Sequence, residues 1–469
     1  MKYTCDMDAE NTYSSPFSWR YGSTDMRHIF SEEYRFQLWR TIWVALATAQ
    51  HKAGLITTDE LADLKKYQTD IDIDRIKEIE KKTRHDVVAA IREYAEKAKI
   101  GGGKIHLGAT SMDIVDNADI LKMKYAIDII EKKMHHLLKL FAHHIEKYKK
   151  VTCIGYTHLQ PAEPTTIGYR LSFYAQDLLT DLEHMQFVKT QLKGKGFKGA
   201  VGTAASYDAV LTETKMSPAE MEVMVMKSLG LKVATITTQV YSRKVDYLVL
   251  SALSSVASSL SKFASDLRIL QSPNFGEWSE PFGKHQVGSS AMPFKKNPIT
   301  AENMCSLARY IETLPPVALQ NASHSYLERT LDDSANRRVI IPESFLALDQ
   351  MLLSAEKIVS GLVVNTKKVQ HNLEQYAPFA ATERILIAMV KKGADRQKMH
   401  EHLREIAMEA WQTVQEGRKN PMNDFLMQSK DIQKYISPEE IASLLDVHNH
   451  IGDVAQRIEI ILTSIEKIN

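Results

Sequence analysis

The chain has 469 residues, 44% of them hydrophobic, enough for two or three domains around a large core and a composition that excludes wholesale disorder. Fifty-nine Lys and Arg nearly balance 58 Asp and Glu, so no overall field selects nucleic acid or an anionic membrane. The three cysteines, Cys5, Cys153 and Cys305, are far apart, which argues against a disulfide framework or a zinc site and for a reducing compartment.

The polar N-terminus, MKYTCDMDAENTYSS, lacks the apolar centre of a secretory signal, and no run of about 18 apolar residues suggests a membrane span; a cytoplasmic location is expected. The first helix is read in SEEYRFQLWRTIWVALATAQHKAGL, with Ser31 as N-cap, apolar residues three and four apart, and Gly54 as the stop. A polar stretch follows to about residue 100, where the glycines of IGGGKIHLGATS break the pattern. From about Asp113 to Lys150 the apolar positions Ile114, Ala118, Leu121, Tyr125, Ile129, Leu137, Leu140 and Phe141 predict one long amphipathic helix. On it, HHLLKLFAHH sets His135, His136, His143 and His144 in pairs about two turns apart, a spacing that favours a polar or inter-subunit face over a metal site. Further long helical segments are read at about 164–193, 240–270, 298–318 and 333–362. Five such segments with almost no strand-like alternation describe an all-α elongated bundle, whose apolar sides call for oligomerisation. The last hundred residues break near Pro378, Gly393, EGRKNP and Pro438 and read as a small helical domain. The expected division is 1–111, 112–364 and 365–469.

The stretch GSSAMPFKKNP, Gly288 to Pro298, follows a loop rich in Pro and Gly and leads into a helix. Asn297 reads as the cap and Pro298 as the first helical residue. A bare connector needs neither two serines nor the Lys295-x-Asn297 arrangement. A helix N-terminus with a lysine and an amide beside it suits a carboxylate or an enolate-like oxyanion, and a serine above it suits a base or nucleophile. GYTHLQPAEPTTIG offers His158, beside Thr157 and Gln160, at what reads as a loop-to-helix junction. Three stretches carry arginines suited to carboxylate or phosphate: SWRYGS with Arg20 and Tyr21, KTRHDVVAA with Arg84, His85 and Asp86, and LERTLDDSANRRVIIPESF with Arg329, Ser334, Arg337 and Arg338. Together they suggest a ligand with several anionic groups. No P-loop, dinucleotide fingerprint or zinc pattern is present, so no cofactor and no metal are expected.

G-S-S-A-M-P-x-K-x-N-P resembles the signature loop of the fumarase/aspartase superfamily, whose members form fumarate by β-elimination as homotetramers with active sites built from several subunits. The combination of W-R-Y-G-S, T-R-H-D, LGATSMDIVDN, TTQVYSRKVD and ERTLDDSANRR, from about residue 14 to beyond 400, is similar to the branch that acts on adenylosuccinate. The resemblance implies two substrates, adenylosuccinate giving AMP and the succinyl-carboxamide ribotide SAICAR giving AICAR. It implies Ser289 as general base, with Ser290 adjacent and chemically identical, and His158 as general acid supported by Glu302. Arg20, Tyr21, Arg329, Ser334 and Arg338 would meet the phosphate and ribose, joined by Arg84, His85 and Asp86. Thr110, Ser111, Thr157, Gln239, Lys295 and Asn297 would hold the succinyl carboxylates and base edge. One position departs: Asn303 stands where animal members carry arginine, which bears on the contact made there and on the preference between the two substrates. Other readings of the residues are a superfamily lyase acting on argininosuccinate, a helical tetramer that kept the fold for a structural use, and an unrelated scaffold.

Overall fold

The first long helix begins where its cap predicts. In a computed structural model that describes residues 13–468, Ser31 Oγ accepts the N–H of Tyr34 at 3.2 Å, and the chain turns at Gly54 with φ +83°. Cys5 lies outside the described residues. The elements that matter below are α1 (Glu32–Lys52), α2 (Ile73–Thr83), α3 (Asp86–Lys97), α4 (Ser111–Tyr148), β1 (Thr152–Thr157), β2 (Gln160–Thr166), α5 (Ile167–Gln191), α6 (Lys244–Gln271), α7 (Ile299–Glu312), α8 (Asp332–Ser360) and α9 (Thr366–Lys391). The fold is all-α, with short two-stranded pairs as its only sheets among the described residues.

The chain divides into two units, each drawn from three stretches: Met1–Met134, Asp181–Ser258 and Ser306–Leu353 in the first, and His135–Thr180, Ser259–Cys305 and Ser354–Asn469 in the second. In the first unit, Phe36, Trp39 and Trp43 on α1 form an edge-to-face ladder that meets Tyr94 on α3. Arg40, buried beside it, lies 3.7 Å over the Tyr94 ring and pairs with buried Glu93, so a charge survives there only because it is matched and stacked. In the second unit, Phe141, Tyr174 and Phe263 pack edge to face, and Ile385 and Met389 of α9 join Leu403, Met422, Leu426 and Ile441 in a C-terminal core.

Several expectations change. The segment read as a loop before α5 is the hairpin β1–β2, with Ile154 opposite Pro164 and Tyr156 opposite Pro161. A two-stranded ribbon consists only of edge strands, where proline's missing N–H is tolerated. Pro378 does not break the chain: α9 runs through it for 26 residues, because Leu373 and Ala377 before it and Ala381 and Ile385 after it are all buried. The segment read as 298–318 is α7 and a second helix, Pro315–Ser323, whose two prolines open it. Helix α6 has the length and apolarity of a membrane span, with half of its most apolar window buried in the fold, as in a core helix. His144 is buried, with its imidazole pushed below the usual range by that burial, whereas His136 is exposed and pairs with Glu356 at 3.3 Å. The four histidines therefore do not form one polar face.

Candidate functional site

A cavity of about 780 Å³ in the first unit, a size typical of small-molecule sites, gathers ten of the candidate site residues singled out from the sequence. Arg84, His85 and Asp86 enter from the junction of α2 and α3, and Thr110 and Ser111 from the start of α4. Gln239, Arg329, Ser334, Arg337 and Arg338 complete the set.

Local geometry explains how each is presented. Arg84 closes α2 in the left-handed region, φ +52°, a strained conformation for a residue with a side chain. His85 caps α3, its Nδ1 accepting the N–H of Val88 at 3.4 Å, which leaves the other ring nitrogen free. Asp86 lies 3.6 Å from Arg338. The Thr110 N–H donates to Asp113 Oδ2 at 3.0 Å. Asp113 is fully buried and also takes the Tyr207 hydroxyl, the Gly199 N–H and the ammonium of buried Lys195. Upstream, His106 sits at φ +68° and accepts the Trp43 indole N–H on Nδ1 at 3.1 Å; burial pushes its imidazole down to about 4.

Beneath Gln239 and Arg329 lies a buried ion network. Arg243 forks onto Asp116 of α4 at 3.1 Å and donates through Nε to Asp333 of α8 at 2.6 Å. Arg337 holds Asp246 at 2.7 Å and donates to the Tyr241 hydroxyl, which in turn donates to Asp246. Arg337, singled out with the anion-binding arginines, also lines the cavity, but it is spent on this network.

Arg20 and Tyr21 belong to the same unit but do not line the cavity. They follow a short helical turn whose next residues are tied to α8: the Gly22 N–H donates to Gln350 at 3.2 Å and the Ser23 N–H to Asp349 at 2.6 Å.

The second unit carries Thr157, His158, Ser289, Lys295, Asn297 and Glu302. His158 and Leu159 form the two-residue tip of the β1–β2 hairpin, with φ of +53° and +60°. Such turns normally take Asn or Gly, so a histidine held there is strained and exposed, with Thr157 exposed beside it. The hairpin stem is fixed through buried Glu277, which receives the Tyr156 hydroxyl at 3.1 Å, Arg170 at 2.9 Å and Asn372 at 3.0 Å.

The signature loop is closed by Asn297 Nδ2, which donates to the Gly288 carbonyl at 2.8 Å. Gly288 is needed there: a Cβ would lie 2.1 Å from the Lys295 carbonyl oxygen. Ser289 Oγ accepts two backbone N–H groups, from Met292 at 3.1 Å and Ala291 at 3.3 Å. Asn297 therefore does not cap α7. The carbonyl of Pro298 accepts the Glu302 N–H, and the carboxylate of buried Glu280 takes the N–H groups of Thr300 and Ala301. Those helix N–H groups, expected to face a substrate oxyanion, are occupied by Glu280. Lys295 is exposed, and Glu302 makes no hydrogen bond or ion pair with His158 within the chain.

Sequence reasoning missed Asp113, Lys195, His106, Glu280 and Asp333. Asp113 and Asp333 stood inside quoted motifs, but only burial reveals their work. For a cation, Glu163, Glu383 and His450 each place one donor atom within 4.8 Å of the others, with both glutamates exposed.

The family model described as Lyase matches residues 20–312, and that described as Adenylosuccinate lyase C-terminus matches residues 378–460. The chain is 38% identical to adenylosuccinate lyase of Schizosaccharomyces pombe over 97% of its length and 94% of the relative's. It is 39% identical to adenylosuccinate lyase of Saccharomyces cerevisiae over 96% and 94%. In fold it resembles a 3-carboxy-cis,cis-muconate lactonizing enzyme from Pseudomonas putida, with TM-score 0.84, 23% identity and coverage of 96% and 99%. A fumarate lyase from Mesorhizobium sp. BNC1 gives TM-score 0.83 at 22% identity, with coverage of 96% and 99%.

Proposed function

The chain belongs to the adenylosuccinate lyase family, and from that premise we infer how its own residues carry out the elimination. It is a carbon–nitrogen lyase that releases fumarate, from adenylosuccinate to give AMP and from SAICAR to give AICAR. The observation that carries the substrate reading is the cavity, where Arg84, Arg329 and Arg338 stand with Thr110, Ser111, Gln239 and Ser334 around a space of about 780 Å³. Arginine forks suit phosphate and carboxylate, and the hydroxyl and amide groups suit ribose and base edges.

In the proposed reaction, Ser289 as alkoxide takes the Cβ proton of the succinyl group. The electron pair left on carbon spreads into the neighbouring carboxylate, giving an aci-carboxylate that Lys295 stabilises by its charge. The C–N bond then breaks as His158 gives its proton to the departing nitrogen, so fumarate and AMP leave and the serine hydroxyl and neutral histidine remain. A free serine is a weak base, but two N–H groups already point at Ser289 Oγ, and donors to the charged form favour it. Asn297 holds the loop in that shape through Gly288. His85 faces the substrate with its free ring nitrogen, and Glu302 orients His158 from a neighbouring subunit. On this reading the protein is a cytoplasmic homotetramer with shared active sites. The exposed Phe173 and Phe187 of α5 support association through the long helices. Asn303, half-buried on α7, bears on the ranking of the two substrates.

The test mixes purified protein with adenylosuccinate and follows fumarate and AMP together, with Ser289→Ala alongside. Equal amounts of both products, lost in the variant, are expected. Release of fumarate from argininosuccinate alone would overturn the substrate assignment, and full turnover by Ser289→Ala would overturn the base.

A further inference from the structure

Asp333 is 2% exposed and lines the cavity, yet its two oxygens are treated differently. Oδ2 is locked by Arg243 Nε at 2.6 Å, and Arg243 is itself held by Asp116. Oδ1 is buried and has no hydrogen-bond partner. A buried carboxylate oxygen without a partner is costly, and native folds rarely keep one without a reason.

Facing that oxygen is Arg329, whose Nη1 stands 3.9 Å from it, within ion-pair range but beyond hydrogen-bond range. Arg329 lies on the segment before α8, where Leu327 adopts φ +50° and is 89% exposed, while the Gln239 N–H donates to the Glu328 carbonyl at 3.2 Å. Burial, and the nearby charges of Arg243 and Arg337, weaken the guanidinium's hold on its proton, and Asp333 acts against them. Arg329 is thus a partly desolvated cation among cations, with one carboxylate oxygen waiting just out of reach.

We propose that Asp333 is the positioning residue for Arg329: when an anionic group of the ligand enters the cavity, the guanidinium closes onto Asp333 Oδ1 with one edge and grips the anion with the other. Asp116, Arg243, Asp333 and Arg329 then form a chain from the buried interior to the ligand. The planar fork of arginine can serve two oxyanions at once, which the point charge of lysine cannot do in a fixed geometry. The proposal rests on the nucleotide reading above only for the identity of the anion.

The test is a double-mutant cycle in the full-length protein, with Asp333→Asn, Arg329→Gln and both together. Binding of AMP and of inorganic phosphate is measured by calorimetry, and KM and kcat are measured with adenylosuccinate. Asp333→Asn is expected to raise the AMP Kd and the KM about 10-fold while kcat stays within about 2-fold, as lost ground-state and transition-state binding requires. In the Arg329→Gln background, Asp333→Asn is expected to add less than about 2-fold, since its effect passes through the arginine. The same 10-fold cost with Arg329 absent would overturn the proposal, as would lost stability with Kd and KM unchanged. Should Asp333→Asn fail to fold, the wild-type crystal structure with AMP decides: Nη1 and Oδ1 are expected at hydrogen-bond distance, and a separation still near 3.9 Å overturns the inference. Failure of the function reading is separate, since it shows as no turnover of adenylosuccinate while phosphate binding and its coupling to Asp333 persist.

Discussion

The cavity of the first unit and the signature loop of the second are built on opposite principles. Around the cavity, two half-buried groups stand on buried charge: Thr110 on Asp113 and Lys195, and Arg329 on Asp333 and Arg243. The loop from Gly288 to Pro298 has little beneath it. Phe294 is 82% exposed, Lys295 is exposed, and the loop's shape depends on Asn297 bonding Gly288 and two N–H groups turned onto Ser289. On the mechanism proposed above, the difference teaches that recognition is preorganised and costly to disturb, whereas the chemical step is placed on a lightly tethered segment, as a closing loop requires.

The comparison breaks most sharply in activity. Ser289→Ala and His158→Gln are each expected to lower kcat by about 10²–10⁴-fold, the range for a positioned acid or base, while leaving stability within about 0.5 kcal/mol. A fumarate-release assay beside a urea titration measures both, and a large loss of stability in either variant would contradict the lightly tethered placement of Ser289 and the exposed one of His158.

Next in size is the buried side. Asp113→Ala or Lys195→Ala leaves a fully buried charge without its partner and is expected to cost about 3–5 kcal/mol in denaturant unfolding. A cost under about 1 kcal/mol would show that the network beneath Thr110 is not a support.

His106 sharpens the comparison by pH. Its folded pKa, about 4, lies below the ordinary 6.5, so the unfolded chain binds the proton more readily between those values. Stability should therefore fall as pH drops from about 6.5 toward 4, by at most ~1.4 kcal/mol per pH unit, with no contribution from this residue above that window. Protonating Nδ1 also ends the hydrogen bond from Trp43. His106→Gln should flatten this part of a pH–stability curve, and an unchanged slope would sink the assignment.

The smallest effect expected is at the seam between loop and helix. Glu280→Gln weakens the cap on Thr300 and Ala301 and should cost about 1 kcal/mol, with a modest fall in kcat as the start of α7 frays. An unchanged melting curve would mean that other contacts hold the helix start.

Much of this protein was legible in order of residues alone. Helical period and caps located α1, α4, α6 and α8 closely, because those signals are local: Ser31 meets Tyr34 three residues on, and the apolar stripe of α4 repeats at every turn. The motifs also named ten of the residues that line the cavity, since arginines, hydroxyls and amides carry their chemistry in their type. The hairpin under His158 was hidden by two prolines that argue against strands, and α9 was hidden by Pro378, because burial on both sides of a proline outweighs its lost hydrogen bond and burial is not local. The role of Glu280 was hidden too, since the cap of α7 comes from some twenty residues upstream rather than from Asn297. Most of all, residue types could not say which charges are buried. Asp113, Asp333, Lys195 and Arg243 read as ordinary polar residues until packing removes water from them, and only then must each find a partner in a distant part of the chain.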